Sequence, residues 1–289
     1  MTDEQPRPSS HSSFSGGSAS WQPDDTVEHQ AARSAYLERI YRTPLLQEIL
    51  ARTLDVLALA SGQSVLEVGC GSGLILPVFA REVGPTGRVV GLDHAPAFVA
   101  EARARVAAEG LAESVTVEEG DAYHLPYPTA SFDAAHCERV LMHLTDPTAA
   151  LREMARVVRP GGVVVAVEPD WLGIRIDHPE HADFAPIYRR ALNFRHPDIG
   201  LTLYRRLADA GLVERQAVLV PSTITNHAVL RAYGLDLAPA AEALIVEGSL
   251  TRERAETLLA YLETASQNGT FYSYGCFHIV SGRVPPLPI

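Results

Sequence analysis

The sequence predicts an α/β fold, a doubly wound, seven-stranded, mostly parallel sheet with a helical cap. Three observations carry that prediction. Short apolar runs alternate with helix-length segments between residues 64 and 167, the pattern of a parallel sheet covered on both faces. The first run, Ser64 to Val68, feeds Gly69-Cys70-Gly71-Ser72-Gly73, and a strand entering a glycine turn before a helix is the geometry that holds a nucleotide-like ligand. The chain has 289 residues, 46% of them hydrophobic, enough for one large domain or two modest ones.

Residues 1–24 are rich in Ser, Gly, Pro and Gln. They cannot bury enough surface to offset ordering entropy, so a disordered tail is expected, with a ligand-ordered lid as the functional alternative. Residues 25–60 carry two helices, Val27 to Tyr41 and Pro44 to about Ala60, with apolar positions at helical spacing, and read as a lid or cap. Residues 61–225 form the sheet-bearing core. A helix from Leu74 to Val83 follows the glycine turn. The second strand, Arg88 to Leu92, ends at Asp93, 20 residues beyond Gly73, the usual interval to a ribose-binding carboxylate.

Pro96 to Gly110 reads as a helix, Val115 to Glu118 as the third strand, and Leu125-Pro126-Tyr127-Pro128 as a rigid loop. Ala134 to Glu138 is the fourth strand. Pro147 to Val158 is a helix closed by Arg159-Pro160-Gly161-Gly162, and Val163 to Val167 is the fifth strand. Residues 171–213 read as less regular until a helix from Leu201 to Ala210. Glu214 to Val220 is the sixth strand. Residues 226–268 are mostly helical and too long for a hairpin loop, so they read as a cap insert over the active-site edge. Residues 269–289 hold the final strand, Phe271 to Val280, an antiparallel partner, and a tail.

Charge and cysteines narrow the function. Net charge is −11 with no dense Lys/Arg tract, which argues against a general nucleic-acid binder. Cys70, Cys137 and Cys276 stand far apart, so neither a disulfide framework nor a structural zinc site is expected, and the compartment expected is the reducing cytoplasm. No apolar run reaches transmembrane length. His136-Cys137-Glu138 is an H-x-E without the downstream P-C-x-x-C of a zinc deaminase, so no metal is expected.

Five motifs in order resemble the class I S-adenosylmethionine-dependent methyltransferases, in the small-molecule branch related to ubiquinone/menaquinone methyltransferases. They are Glu67-Val68-Gly69-Cys70-Gly71-Ser72-Gly73, Gly91-Leu92-Asp93, Gly120-Asp121-Ala122, Ser131-Phe132-Asp133 and Arg159-Pro160-Gly161-Gly162. The resemblance covers about residues 60–170. It implies a Rossmann-like methyltransferase fold, S-adenosyl-L-methionine as cofactor, and a small-molecule methyl acceptor, as in secondary metabolism, with no nucleic acid or membrane as partner. Oligomeric state is left open, a homo-oligomer included.

The same resemblance implies roles. Gly69, Cys70, Gly71 and Gly73 pass beneath the methionine part of the cofactor, and Glu67 shapes the pocket floor. Asp93 accepts from the ribose hydroxyls, and His94 lies against the adenine. Asp121 and the Ala122 N–H meet the adenine edge, and Glu138 and Arg139 border the methionine end. His143 is the candidate base and Glu168 its candidate partner or a substrate contact. Trp171, Tyr188, Tyr233, Phe271 and Tyr272 are candidates for an aromatic acceptor pocket, none assigned singly. Three other readings stay open: a nicotinamide-dependent oxidoreductase; a nucleic-acid methyltransferase, which would favour a basic face and, for the adenine-amino type, a D/N-P-P-Y/F motif that this sequence does not contain; and a cofactor-bound fold of this kind catalysing a non-methylating step such as cyclisation.

Overall fold

The computed structural model describes residues 27–192 and 194–286, with side chains from residue 32 onward. The tail expected at residues 1–24 lies outside the described residues. Five apolar runs become parallel strands: β1 (Ser64–Val68), β2 (Arg88–Asp93), β3 (Val115–Glu119), β4 (Phe132–Glu138) and β5 (Val158–Pro169). β8 (Ser273–Arg283) runs antiparallel to β5, with Glu168 opposite His278. β7 (Val213–Ile224) pairs antiparallel with the outer side of β8. The sheet order is β3-β2-β1-β4-β5-β8-β6, with β7 on β8.

The sheet therefore has eight strands where seven were expected. The addition is β6 (Arg175–Ile176), a two-residue pairing with the start of β8, too short to leave any periodicity in the sequence. The fifth strand is also longer than expected. Val158 already pairs with Phe132, so Arg159-Pro160-Gly161-Gly162 belongs to the strand rather than to a helix-closing turn. Gly161 takes φ +77° there and its N–H reaches Val284 O at 2.9 Å.

Successive residues of the buried strands serve opposite layers. Val65 of β1 joins a core with Leu76, Phe79 and Val83 of α3 (Leu76–Val83) and Ile49 of α2 (Pro44–Leu57). Its neighbours Leu66 and Val68 join Leu151 and Met154 of α5 (Pro147–Val157) and Leu203 of α7 (Ile199–Asp209) on the other face. α4 (Pro96–Ala108) completes the first layer through Val99 and Ala102. Each such fully buried Leu or Val side chain contributes about 1.5–3 kcal/mol relative to exposure.

Chain order sets where a site can form. β1 to β3 wind outward on one side, and β4 returns to the other side of β1. The carboxyl ends of β1 and β4 are thus a topological switch point, where connecting loops diverge and leave a crevice.

Helices α8 (His227–Ala232), α9 (Ala238–Val246) and α10 (Arg252–Gln267) fall within residues 226–268, the segment read from sequence as mostly helical. α6 (His181–Ala191) joins them, within a segment read from sequence as irregular. Pro186 sits inside α6 and breaks its helical signal. Packing overrides that cost, because Phe184 and Ile187 are fully buried. Arg254 of α10 bridges Glu180 and Asp183 at the start of α6. No helix among the described residues is long and apolar enough to cross a membrane.

Candidate active site

A cavity of about 180 Å³ opens at the β1/β4 switch point. Its floor is the glycine turn. Gly69, Gly71 and Gly73 take φ of +73°, +52° and +77°, a region L side chains rarely adopt. Their jobs differ. A Cβ on Gly71 would meet only Leu37 Cδ1, at 3.7 Å, so a larger side chain there would project into the cavity. A Cβ on Gly69 would stand 2.4 Å from Val140 Cγ2, so that glycine lets the loop after β4 close over the turn. Gly73 does not line the cavity. A Cβ on it would strike Ala102 of α4 at 2.8 Å, so it serves helix packing. The helix after the turn begins at Leu76 rather than Leu74, which leaves Leu74 and Ile75 free to line the cavity.

Three carboxylates reach this cavity: Glu67, Asp93 and Glu138. Asp93 is nearly buried and holds the turn itself. Its Oδ2 accepts from the Gly71 N–H at 2.8 Å and its Oδ1 from the Ala95 N–H at 2.9 Å. Each oxygen keeps a second lone pair for a ligand hydroxyl. His94 is exposed beside it, with Nδ1 3.5 Å from Asp93 Oδ1. Glu67 lies deeper, its Oε2 2.5 Å from His136 Nδ1. Burial pulls the His136 pKa down, but the charge and hydrogen bond of Glu67 outweigh it and hold it above the ordinary value. Burial likewise pushes the Cys70 thiol up, so this cysteine is not a nucleophile.

Beyond β4 the chain turns sharply. Arg139 takes φ +55°, and its Nε donates to Glu138 Oε1 at 3.1 Å. A 3₁₀ turn, Leu141–His143, follows. His143 lines the cavity and its ring lies 6.1 Å from Phe194. Burial, with the positive charges of Arg139, Arg33 and His94, lowers its pKa to about 3. The imidazole is therefore neutral throughout the physiological range.

Glu168 is fully buried and does not line the cavity. Its Oε1 accepts from the Val140 and Leu141 N–H groups, at 2.9 and 2.6 Å. Its link to His143 thus runs through the backbone of the turn, where a direct side-chain pairing or substrate contact was expected. Asp121 and Ala122 also stand off the cavity lining. The Asp121 side chain is 55% exposed, accepting from the Tyr123 N–H at 2.9 Å and pairing with His124 at 3.0 Å.

Sequence reasoning gave residues 25–60 as a lid or cap but named no residue of it as lining the cavity. Arg33, Tyr36, Leu37 and Tyr41 of α1 (Val27–Tyr41) line the cavity. α1 is tied to both sides of it: Glu38 pairs with Arg105 of α4 at 2.5 Å, and the Tyr36 hydroxyl donates to Tyr233 O at 2.8 Å at the end of α8. The apolar spacing of Leu37 and Tyr41 marked a buried face but not its partner. Of the aromatic candidates, Trp171 lines the cavity and stacks on Phe194 at 4.8 Å. Tyr188 supports it by donating to Trp171 O. Phe271 lies against His227 under the cap, and Tyr272 is exposed.

Glycine turn, strand-end carboxylate and cover define a nucleoside-binding α/β protein. S-adenosylmethionine fits this set of groups: its hydroxyl and ammonium donors would find three carboxylates, Glu67, Asp93 and Glu138, and the turn leaves room at Gly71 for close approach. The methyltransferase domain family matches residues 66–166. A demethylmenaquinone methyltransferase of Deinococcus radiodurans is 35% identical over 188 residues, covering 61% of this chain and 73% of that protein. The chain belongs to the class I S-adenosylmethionine-dependent methyltransferase family.

A UbiE ubiquinone/menaquinone C-methyltransferase of Hahella chejuensis is 35% identical over 116 residues, 40% of this chain and 47% of its own length. An uncharacterized 37.1 kDa protein in transposon TN4556 of Streptomyces fradiae is 38% identical over 200 residues, 68% of this chain and 55% of its own. The chain thus spans about half the length of these two curated relatives. Among solved structures, YcgJ from Bacillus subtilis superposes with a TM-score of 0.57 at 21% identity, covering 83% of this chain and 99% of that one. The [4+2]-cyclase SpnF superposes at 0.51 with 21% identity, covering 83% and 80%. At these identities the likeness is one of fold.

Proposed function

We propose that this chain transfers a methyl group from S-adenosylmethionine to a small organic acceptor. The observation that carries this reading is the set of Glu67, Asp93 and Glu138 around the glycine turn at the β1/β4 switch point. When bound, the cofactor supplies an electrophilic sulfonium methyl, so the protein mainly positions the acceptor and keeps water out.

Each residue then has a task. Asp93 accepts from the ribose hydroxyls while its bonds to Gly71 and Ala95 keep it rigid. His94 flanks the adenine, and Asp121 and Ala122 meet its outer edge. Glu138 faces the methionine ammonium. Tyr36, Leu37 and Tyr41 of α1 shield the reacting centre. His143, neutral and at the cavity wall, receives a proton from an acceptor hydroxyl as its oxygen takes the methyl. Glu168 holds the turn that places His143. The net charge of −11 favours a small molecule over nucleic acid as acceptor.

Mass spectrometry of the product after incubation with S-adenosylmethionine tests the reading: a gain of one methylene unit is expected. An acceptor rearranged without mass gain would favour the cyclising alternative. Calorimetric titration with S-adenosylhomocysteine and with a nicotinamide dinucleotide separates this reading from an oxidoreductase.

A further inference from the structure

A second, narrower cavity lies beside the first, and Tyr36, Arg139 and Trp171 line both. Its remaining wall is built by α1, α2, the cap and the β7/β8 edge. It is largely apolar, with Ile40, Leu46, Ile174, Ile224, Leu230 and Phe277 among its lining. Arg139 is the one Lys, Arg, Asp or Glu side chain among its lining residues. A guanidinium facing an apolar chamber needs a reason, because an under-solvated cation is costly unless its donors are met, and the one carboxylate beside it, Glu138, engages only Nε.

Arg139 has donors to spare. Its one side-chain hydrogen bond among the described residues is from Nε to Glu138, which leaves both terminal nitrogens unengaged. Its side chain is only 20% exposed. Its backbone is held at φ +55° by an N–H bond to Val167 O at 2.9 Å. Unfavourable backbone held in this way gathers at ligand-binding positions, and here it sets the side chain in the wall between the two chambers. Two free N–H edges in a fixed plane match an oxyanion.

We infer that Arg139 selects the acceptor: the second cavity takes the apolar body of the molecule, and Arg139 binds a carboxylate or similar oxyanion on it. This rests on the methyl-transfer reading and moves Arg139 from the cofactor to the acceptor side. The anion stands next to the donor cavity, within the same wall as Trp171, so the reacting atom lies close to that charged group in the molecule.

The test uses hexanoate and 1-hexanol as probes of equal chain length, titrated calorimetrically at pH 7.5 into the protein saturated with S-adenosylhomocysteine. The wild type should bind hexanoate at least about tenfold more tightly than 1-hexanol. Arg139→Gln should abolish that preference, and Arg139→Lys should keep part of it. Both variants should hold S-adenosylhomocysteine within about threefold of the wild type. Equal affinity of the wild type for the two probes overturns the proposal. So does a large loss of S-adenosylhomocysteine affinity in Arg139→Gln with the preference intact, which would return Arg139 to the cofactor. Should Arg139→Gln not fold, Ser222→Phe enters the second cavity from β7 and leaves Arg139 in place. It must lower hexanoate binding by about tenfold or more with S-adenosylhomocysteine unaffected, and unchanged hexanoate binding refutes the chamber. Failure of the wild type to bind S-adenosylhomocysteine at all would instead remove the methyl-transfer reading.

Discussion

Glu168 Oε1 lies 2.6 Å from the amide nitrogen of Leu141. That bond, with its companion from Val140, fastens the turn bearing His143 to the end of β5. A fully buried carboxyl is costly to ionise. Burial raises the Glu168 pKa to about 8, although the two N–H bonds and Arg139 pull it down. Glu168→Gln keeps an acceptor for both N–H groups, so turnover should stay within a few-fold of the wild type. Glu168→Ala orphans them, and turnover should fall well below that of the Gln variant.

The same group predicts a pH dependence of stability. Its folded pKa is raised, so its stabilising contribution is full below its unfolded value of about 4.3. That contribution is lost as pH rises toward about 8, because the unfolded chain gives up the proton first. Glu168→Gln removes the effect. Urea midpoints at pH 5 and pH 8.5 should show the variant gaining on the wild type at the higher pH. A constant difference between the two pH values would refute the buried-acid description.

His143 behaves oppositely. Burial and nearby cations depress its pKa to about 3, so its contribution to stability is present above about 6.5 and lost as pH falls toward 3. With a hydroxyl acceptor, His143→Ala should lower turnover by roughly 10²–10⁴-fold with cofactor affinity nearly unchanged. The residual rate should rise with pH as the acceptor ionises unaided. Normal turnover with a lowered melting temperature would make His143 a packing residue, and rates measured beside melts tell these apart.

Asp93→Ala should weaken S-adenosylhomocysteine binding by about 2–4 kcal/mol, since charge-assisted bonds to ligand hydroxyls are lost. Because Asp93 also accepts from Gly71 and Ala95, the melting temperature should drop as well. Asp93→Asn, which keeps one acceptor but faces the other N–H with its own NH2, should recover only part of the stability and less of the affinity. Calorimetry giving wild-type affinity for Asp93→Ala would remove Asp93 from the site.

The glycines should separate by role. Gly71→Val adds a side chain with only Leu37 nearby, so it should abolish cofactor binding by occupying the cavity. Gly73→Ala strikes Ala102, so its first effect should be a lower melting temperature. The opposite pattern in paired melts and titrations would show the assignment inverted.

The local pattern of residues 64–169 determined much of this protein. Apolar runs buried on both faces, a glycine turn needing positive φ, and an acid 20 residues further on each leave a mark at short range, so the parallel strands and the strand-end position of Asp93 were legible, while the order of the strands in the sheet was set only by the tertiary structure. α6 was not, because Pro186 breaks its pattern while Phe184 and Ile187 recover the cost only by packing in the tertiary structure. The sequence suggested a lid or cap at residues 25–60, but not which of its residues meet the cavity. Leu37 and Tyr36 meet the glycine turn and Tyr233 across long stretches of chain, and nothing in a helix's own spacing names its partner. Glu168 and Arg139 make the same point most sharply. Sequence placed both at strand ends beside the donor. Tertiary packing buried one beneath the His143 turn and set the other in the wall between two cavities, because burial and backbone strain depend on neighbours the local sequence does not contain.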